Sequence, residues 1–234
     1  FRKEFTTDMK KTITGAKLYI GSLGVPEVFI NGEKAGNSVL DSDDRVVRET
    51  TWYSGYDVSN SIQKGKNAIG VMIGPGQLGS EYKTPDSTRF ILNLKILYAD
   101  GSADLITTDR SWKATKKGPL VVGEINNATA GEKYDARNIK KGWNESYFDD
   151  YNWESGNAIS TTSDKKKMKA RLAPPMKVIE TLSPQSITEI FPGTYIVDAG
   201  RNITGWAQLK IEGNPGDKIE MRFAEDHSTL WNDY

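Results

Sequence analysis

Cysteine is absent from the 234 residues, which excludes disulfides and thiolate metal sites. The single histidine, His227, has no second imidazole with which to share a metal or relay a proton, and it reads as a surface residue. Charge of one sign is lacking too. The 31 cationic side chains are matched by 31 acidic ones, so there is no basic field and nucleic acid is not an expected partner. No apolar run approaches the roughly 20 residues of a membrane span, so no membrane partner is expected. Nor does any long stretch carry a helical period.

What is present is enough for a core: 37% hydrophobic residues, cut by turn signals at short intervals. Asn31-Gly32 lies between strand-like runs in VFINGEKAG and predicts a type I′ hairpin. In RFILNLKILYADGSADLITTD, Phe90, Leu92, Leu94, Ile96 and Tyr98 alternate onto one face, and Asp100-Gly101 predicts the turn. Ile91 and Leu97 add apolar character to the other face, which predicts a strand inside its sheet. Ala68–Gly74 (AIGVMIG) predicts another buried strand, and Tyr56–Asn67 a short helical turn with a loop.

A boundary is expected near SDKKKMKARLAPPMK. The run Lys165–Lys169 reads as solvated, and Pro174-Pro175 cannot sit inside a sheet. Beyond it TYIVDAG, GWAQLKIEG and KIEMRFAE read as strands. Asn214-Pro215-Gly216-Asp217 turns between the last two, with Ala207, Leu209 and Ile211 facing Ile219, Met221 and Phe223. The expected architecture is all-β: an antiparallel jelly-roll sandwich of the galactose-binding-domain type over 1–170, followed over 171–234 either by strands that complete that sandwich or by the start of a second β-sandwich. FRKEF reads as a strand already under way and TLWNDY lacks a natural stop, so the chain is expected to be a fragment of a longer one.

Gly131–Glu154, GEKYDARNIKKGWNESYFDDYNWE, concentrates acids and aromatics. Glycosidases need paired carboxyls flanking the scissile bond, and Glu132 with Asp135 are spaced as many loop acids are. Sugar-binding sites join an aromatic face to a few convergent acids, amides and arginines. Asn126, Asn127, Glu132, Tyr134, Asp135 and Arg137 supply these groups. The same loop is rich in oxygen ligands, so Ca²⁺ is a candidate, although no cofactor is required. The simplest reading of the stretch is structural. Asp135 and Arg137 pair or brace the loop, Asp149 or Asp150 caps a short turn, and Trp143, Phe148 and Trp153 pack. Asp41, Asp43 and Asp44 lack the glycine and terminal glutamate of a calcium loop and read as a solvated turn. Asp198, Arg201 and Asn202 form a polar corner before Gly205-Trp206.

Several phrases together resemble one family. LYIGSLGVPEVFINGEKAG, then TWYSGYDVSNSIQKGKNAIGVMIGPG, then GEKYDAR, GW and FDDYNWE, resemble the amino-terminal domain of bacterial α-L-rhamnosidases. APPMKV and GTYIVDAGRNITGWAQLKIEGNPGDKIEMRFAE resemble the opening of that family's next β-domain. The likeness covers nearly the whole chain in the family's order. It departs where Gln77-Leu78-Gly79 stands in place of an aromatic pair, and where DAGRN replaces DFGQN. The resemblance implies an inverting glycosidase that releases terminal α-L-rhamnose, with its catalytic carboxylates on a downstream helical barrel. This chain is then the non-catalytic front, and no catalytic residue is expected in it. Its expected partners are a rhamnose-containing carbohydrate and the downstream catalytic domain, and a periplasmic or extracellular location is favoured. The competing readings are an autonomous carbohydrate-binding module of another glycosidase and a structural or adhesive sandwich, since fold alone does not fix function.

Overall fold

The computed structural model describes residues 1–40, 50–74, 88–121, 133–156 and 167–224. The strands, in chain order, are β1 (Arg2–Thr7), β2 (Ile13–Leu23), β3 (Val25–Ile30), β4 (Glu33–Lys34), β5 (Thr50–Asp57), β6 (Gly65–Gly74), β7 (Arg89–Tyr98) and β8 (Ala103–Thr107). They continue as β9 (Lys113–Ala114), β10 (Leu120–Val121), β11 (Lys133–Tyr134), β12 (Glu154–Ser155), β13 (Lys167–Ala170), β14 (Ser186–Phe191) and β15 (Thr194–Asp198). Contacts divide the chain into two units, Phe1–Val178 and Ile179–Tyr234.

The first unit is a sandwich of a six-stranded sheet, β12-β9-β1-β6-β3-β4, and a five-stranded sheet, β13-β5-β2-β7-β8. Alternation dictates which face each strand buries. On β7, Leu92, Leu94, Ile96 and Tyr98 are buried, while Ile91 and Leu97 on the other face are exposed. β7 is paired on both sides, by β2 and β8, as its apolar content predicts. Ala16, Leu18 and Ile20 of β2 join it. From the opposite sheet come Phe5, Val28, Ile30, Ile69 and Val71, and Trp112 completes the cluster. Burial of this apolar surface is the main stabilising term.

The Asn31-Gly32 turn joins β3 to β4 with both residues at positive φ, 50° and 88°, the type I′ geometry. The Asn31 side chain also ties the turn to the loop before β6. Its amide donates to Ser61 O and to Asn67 Oδ1, each at 2.8 Å, and its Oδ1 accepts from Ala68 N–H at 2.8 Å. Asn67 is wholly buried and donates to Gln63 O at 2.8 Å and Gly65 O at 2.9 Å. It also accepts from Gln63 N–H at 2.9 Å. A buried amide so fully partnered is stabilising, whereas a half-partnered one is not. The helical turn expected after Tyr56 is a single 3₁₀ turn, Ser59–Ser61.

The basic run predicted to be a solvated linker supplies β13 at Lys167–Ala170, which pairs in parallel with β5, whereas the sheet's other pairings are antiparallel. Periodicity over four residues could not have revealed it. The chain stays attached past the prolines: Arg171 N–H donates to Tyr53 O and Val39 N–H to Met176 O, both at 3.0 Å, and Ser38 bridges to Lys177.

In the second unit, β14 and β15 form an antiparallel hairpin. The Asn214–Asp217 turn closes as expected, with Asp217 N–H donating to Asn214 O at 3.0 Å and Asn214 N–H to the Asp217 carboxylate at 2.7 Å. The flanking residues, expected to be strands, form no ladder. Their alternate apolar side chains, Leu209, Ile211, Ile219 and Met221, are all more than half exposed. Without a second layer to bury that face, a two-stranded pairing is marginal.

Candidate functional site

GEKYDAR enters the described structure at β11, where Tyr134 pairs with Leu120 and Asp135 N–H donates to Pro119 O at 2.7 Å. Asp135 then caps a 3₁₀ turn, Ala136–Asn138, accepting from Arg137 N–H at 3.0 Å. The Arg137 guanidinium closes on the same carboxylate as a fork, Nε at 2.8 Å and Nη2 at 2.7 Å. These bonds to the Asp135 carboxylate, and its charge, raise the pKa of the guanidinium. Asp135 therefore braces the loop and holds Arg137 in one orientation. The Arg137 side chain is 73% exposed and Tyr134 55%. The structure thus unites Asp135 with Arg137 and leaves Tyr134 open to solvent beside them in the chain. Asn126, Asn127 and Glu132 lie outside the described residues, as do Asp41, Asp43, Asp44 and His227. Among the described residues, no three His, Cys, Asp or Glu side chains gather as a metal would need.

The second half of the acid- and aromatic-rich stretch has a different task. Strand alternation puts Arg2 and Glu4 on the outer face of the six-stranded sheet, beside Gly70, Ala68 and Phe29. Residues 142–153 cover that face. Trp143 meets Phe29 edge-on at 5.7 Å and lies nearly parallel to Trp153 at 6.4 Å, which in turn meets Phe148 at 5.8 Å. The approach is so close that a Cβ on Gly70 would sit 2.7 Å from both the Trp143 ring and Asn144 Cβ.

Arg2 pins this layer down. Only 1% exposed, its guanidinium donates to Trp143 O and Glu145 O, each at 2.9 Å, to Glu4 Oε1 at 2.7 Å, and to the Asp150 carboxylate. It lies 5.4 Å from the Phe148 ring centroid. Asp150 also takes Lys113 Nζ at 2.6 Å. Burial pushes the Asp150 carboxyl up, but the hydrogen bonds from Lys113 and Arg2 outweigh it and hold it below the usual carboxylate range. Glu4 Oε1 also accepts from Tyr147 N–H at 2.9 Å. Asp149 caps its turn, accepting from Tyr151 N–H at 3.1 Å. Beside this anchor opens a cleft of about 390 Å³, walled by Glu4, Lys66, Lys113, Tyr147, Phe148 and Asp150 among others.

Sequence reasoning missed Arg2, Glu4, Lys66, Lys113 and Tyr147. The alternation in RKEFTT puts Arg2 and Glu4 on one face, but what covers that face comes from more than 140 positions away. Tyr147 carries no sequence signal for its positive φ of 69°. Of the polar corner expected from Asp198, Arg201 and Asn202, Asp198 accepts from Gly200 N–H at 2.7 Å, while Arg201 donates to Glu180 at 2.6 Å.

Comparison with known proteins gives a consistent result. The family model described as the α-L-rhamnosidase N-terminal domain matches residues 11–180, and that of the bacterial α-L-rhamnosidase concanavalin-like domain matches 188–229. An α-L-rhamnosidase of Formosa agariphila is 32% identical over 225 residues, 92% of this chain and 23% of the relative. One from Streptomyces avermitilis is 29% identical over 230 residues, 96% of this chain and 22% of the relative. Among solved structures, the α-L-rhamnosidase from Dictyoglumus thermophilum superposes with a TM-score of 0.75 at 38% identity, over 88% of this chain and 22% of that one. The Streptomyces avermitilis enzyme complexed with L-rhamnose gives 0.74 at 29% identity, over 86% of this chain and 20% of that one. The chain spans 22–24% of the length of the curated relatives it matches.

Proposed function

The chain belongs to the α-L-rhamnosidase family, and on that footing we propose that it is the non-catalytic front of an inverting glycosidase that releases terminal α-L-rhamnose. Catalysis then falls to acids downstream of these β-domains. The observation that carries the reading is the match to two consecutive rhamnosidase domains in the family's order, over 11–180 and 188–229.

The chemistry of the described acids supports it. An inverting enzyme needs one carboxyl kept protonated near neutral pH as the general acid. Glu4 and Asp150 share a cleft, but both are bound to Arg2, and Asp150 is driven the opposite way, toward the anion. Asp135 is committed to Arg137. In this reading the first sandwich, Phe1–Val178, supports the enzyme. The second unit supplies the opening strands of the next sandwich, and its exposed Leu209, Ile211, Ile219 and Met221 await further chain.

The same chain offers a place for sugar. Tyr134 presents an exposed ring, and Arg137, held by Asp135, presents donors that suit vicinal hydroxyls. Asn126, Asn127 and Glu132 are proposed to complete the site, and any Ca²⁺ must draw its oxygen ligands chiefly from them, because Asp135 is already engaged. The relative crystallised with L-rhamnose makes that sugar the first ligand to try. Titration calorimetry of the chain with L-rhamnose, with and without calcium, is expected to show weak binding that Tyr134→Ala and Arg137→Gln abolish. No heat at millimolar sugar in either condition removes the binding claim.

A further inference from the structure

The exposed aromatic beside the Arg2 anchor is set up in a way packing does not require. Tyr147 is 75% exposed, yet its backbone is held at φ 69°, a region that disfavours a bulky side chain. Its N–H is fixed by Glu4, and Glu4 by the buried Arg2. One hydrogen bond thus ties this backbone conformation to the buried Arg2 anchor, and it leaves the ring exposed at the rim of a cleft. A tyrosine placed for packing would bury its ring. Among the described residues its hydroxyl makes no hydrogen bond.

Lys66 Nζ lies 4.3 Å from the centre of that ring. The other lysines of the cleft are matched: Lys113 to Asp150 and Lys3 to Asp109, both at 2.6 Å. Lys66 meets no carboxylate among the described residues. The cleft thus combines an exposed aromatic face, one cation that no acid engages among the described residues, and about 390 Å³ of open space, a volume that suits one or two sugar rings.

We propose that this cleft is a second carbohydrate site, specific for an acidic saccharide whose ring lies on Tyr147 and whose carboxylate pairs with Lys66. An entering pyranose takes the ring face, and the displaced ammonium exchanges a weak cation–π contact for an ion pair. A neutral sugar offers Lys66 no counter-charge, so the ammonium keeps the ring face and the sugar is not held here. The choice of a saccharide rests on the functional reading above, whereas the cleft does not depend on Tyr134, Asp135 or Arg137.

The test is titration of the 234-residue chain with digalacturonate, a uronate disaccharide, and with L-rhamnose as its neutral counterpart. Digalacturonate is expected to bind with a Kd of roughly 1 mM or tighter. Binding should weaken several-fold as ionic strength rises from about 0.01 M to about 0.15 M. Tyr147→Asn is the informative variant, because asparagine tolerates positive φ while removing the ring. It and Lys66→Gln should each weaken digalacturonate binding by roughly tenfold, one interaction's worth, and leave L-rhamnose binding unchanged. Arg137→Gln should do the reverse. Absence of saturable digalacturonate binding, or binding indifferent to both Tyr147→Asn and Lys66→Gln, overturns the proposal. Loss of L-rhamnose binding alone would instead count against the Tyr134 loop, and neither result touches whether the complete protein hydrolyses rhamnosides.

Discussion

Replacing Arg2 by methionine tests whether the layer formed by residues 142–153 is held by one buried cation. Methionine keeps an unbranched apolar stem against Phe148 but removes every donor. Two backbone carbonyls, Trp143 O and Glu145 O, lose their 2.9 Å partners, and Glu4 and Asp150 lose a shared cation. Breaking a buried pair from one side costs about 3–5 kcal/mol. Here the acids retain some water, with Glu4 33% and Asp150 20% exposed, and Asp150 keeps Lys113. The low end, about 3 kcal/mol, is therefore expected. For a unit of this size that lowers Tm by roughly 6–12 °C. Differential scanning calorimetry or denaturant unfolding followed by tryptophan fluorescence reads it, since Trp143 and Trp153 lie in the layer. Combining Arg2→Met with Asp150→Asn should be less than additive by at least about 1 kcal/mol, because the two side chains touch. A loss below about 0.5 kcal/mol, or strict additivity, would refute the anchoring role.

Gly70→Ala places a methyl carbon where Trp143 and Asn144 already stand, and is expected to destabilise the first unit by about 1–3 kcal/mol in chemical unfolding. An unchanged midpoint would mean the aromatic layer does not sit this close. Asn67→Leu leaves Gln63 O, Gly65 O and the Asn31 amide short of partners, so a loss of about 2–4 kcal/mol is expected. Acid pH gives a further check. The hydrogen bond from Lys3 holds Asp109, and that from Ser102 holds Asp100, each down at about 2, and Asp150 is also depressed. Groups depressed on folding stabilise above their unfolded pKa and lose that contribution as pH falls through the folded value. Thermal melting should thus be steady above about pH 4 and fall steeply toward about pH 2. A Tm that rises on acidification contradicts the ion-pair assignments.

Legibility followed how local each cause is. β7 could be read from Leu92, Leu94, Ile96 and Tyr98 because alternation is a property of ten consecutive residues. The Asn31-Gly32 turn was equally local. β13 was hidden because a four-residue strand pairing in parallel with a distant one has no period or turn of its own. The strands expected around Asn214 have the right pattern but no layer to bury it. At the site, the Asp135–Arg137 pair was foreseeable from its i, i+2 spacing. Arg2 was not, since a charged residue near a strand's start reads as solvated until Trp143 and Phe148 fold over it. Sequence likeness supplied what local physics could not, the order of motifs across both units.

The central claim is that this β-region serves a rhamnosidase without performing its chemistry. The direct measurement is release of p-nitrophenol from p-nitrophenyl α-L-rhamnoside by the complete protein and, at equal molarity, by the 234-residue chain. The complete protein should turn the substrate over and the chain should match the buffer blank at every concentration. Dose-dependent cleavage by the purified chain, or none by the folded complete protein, would contradict the account.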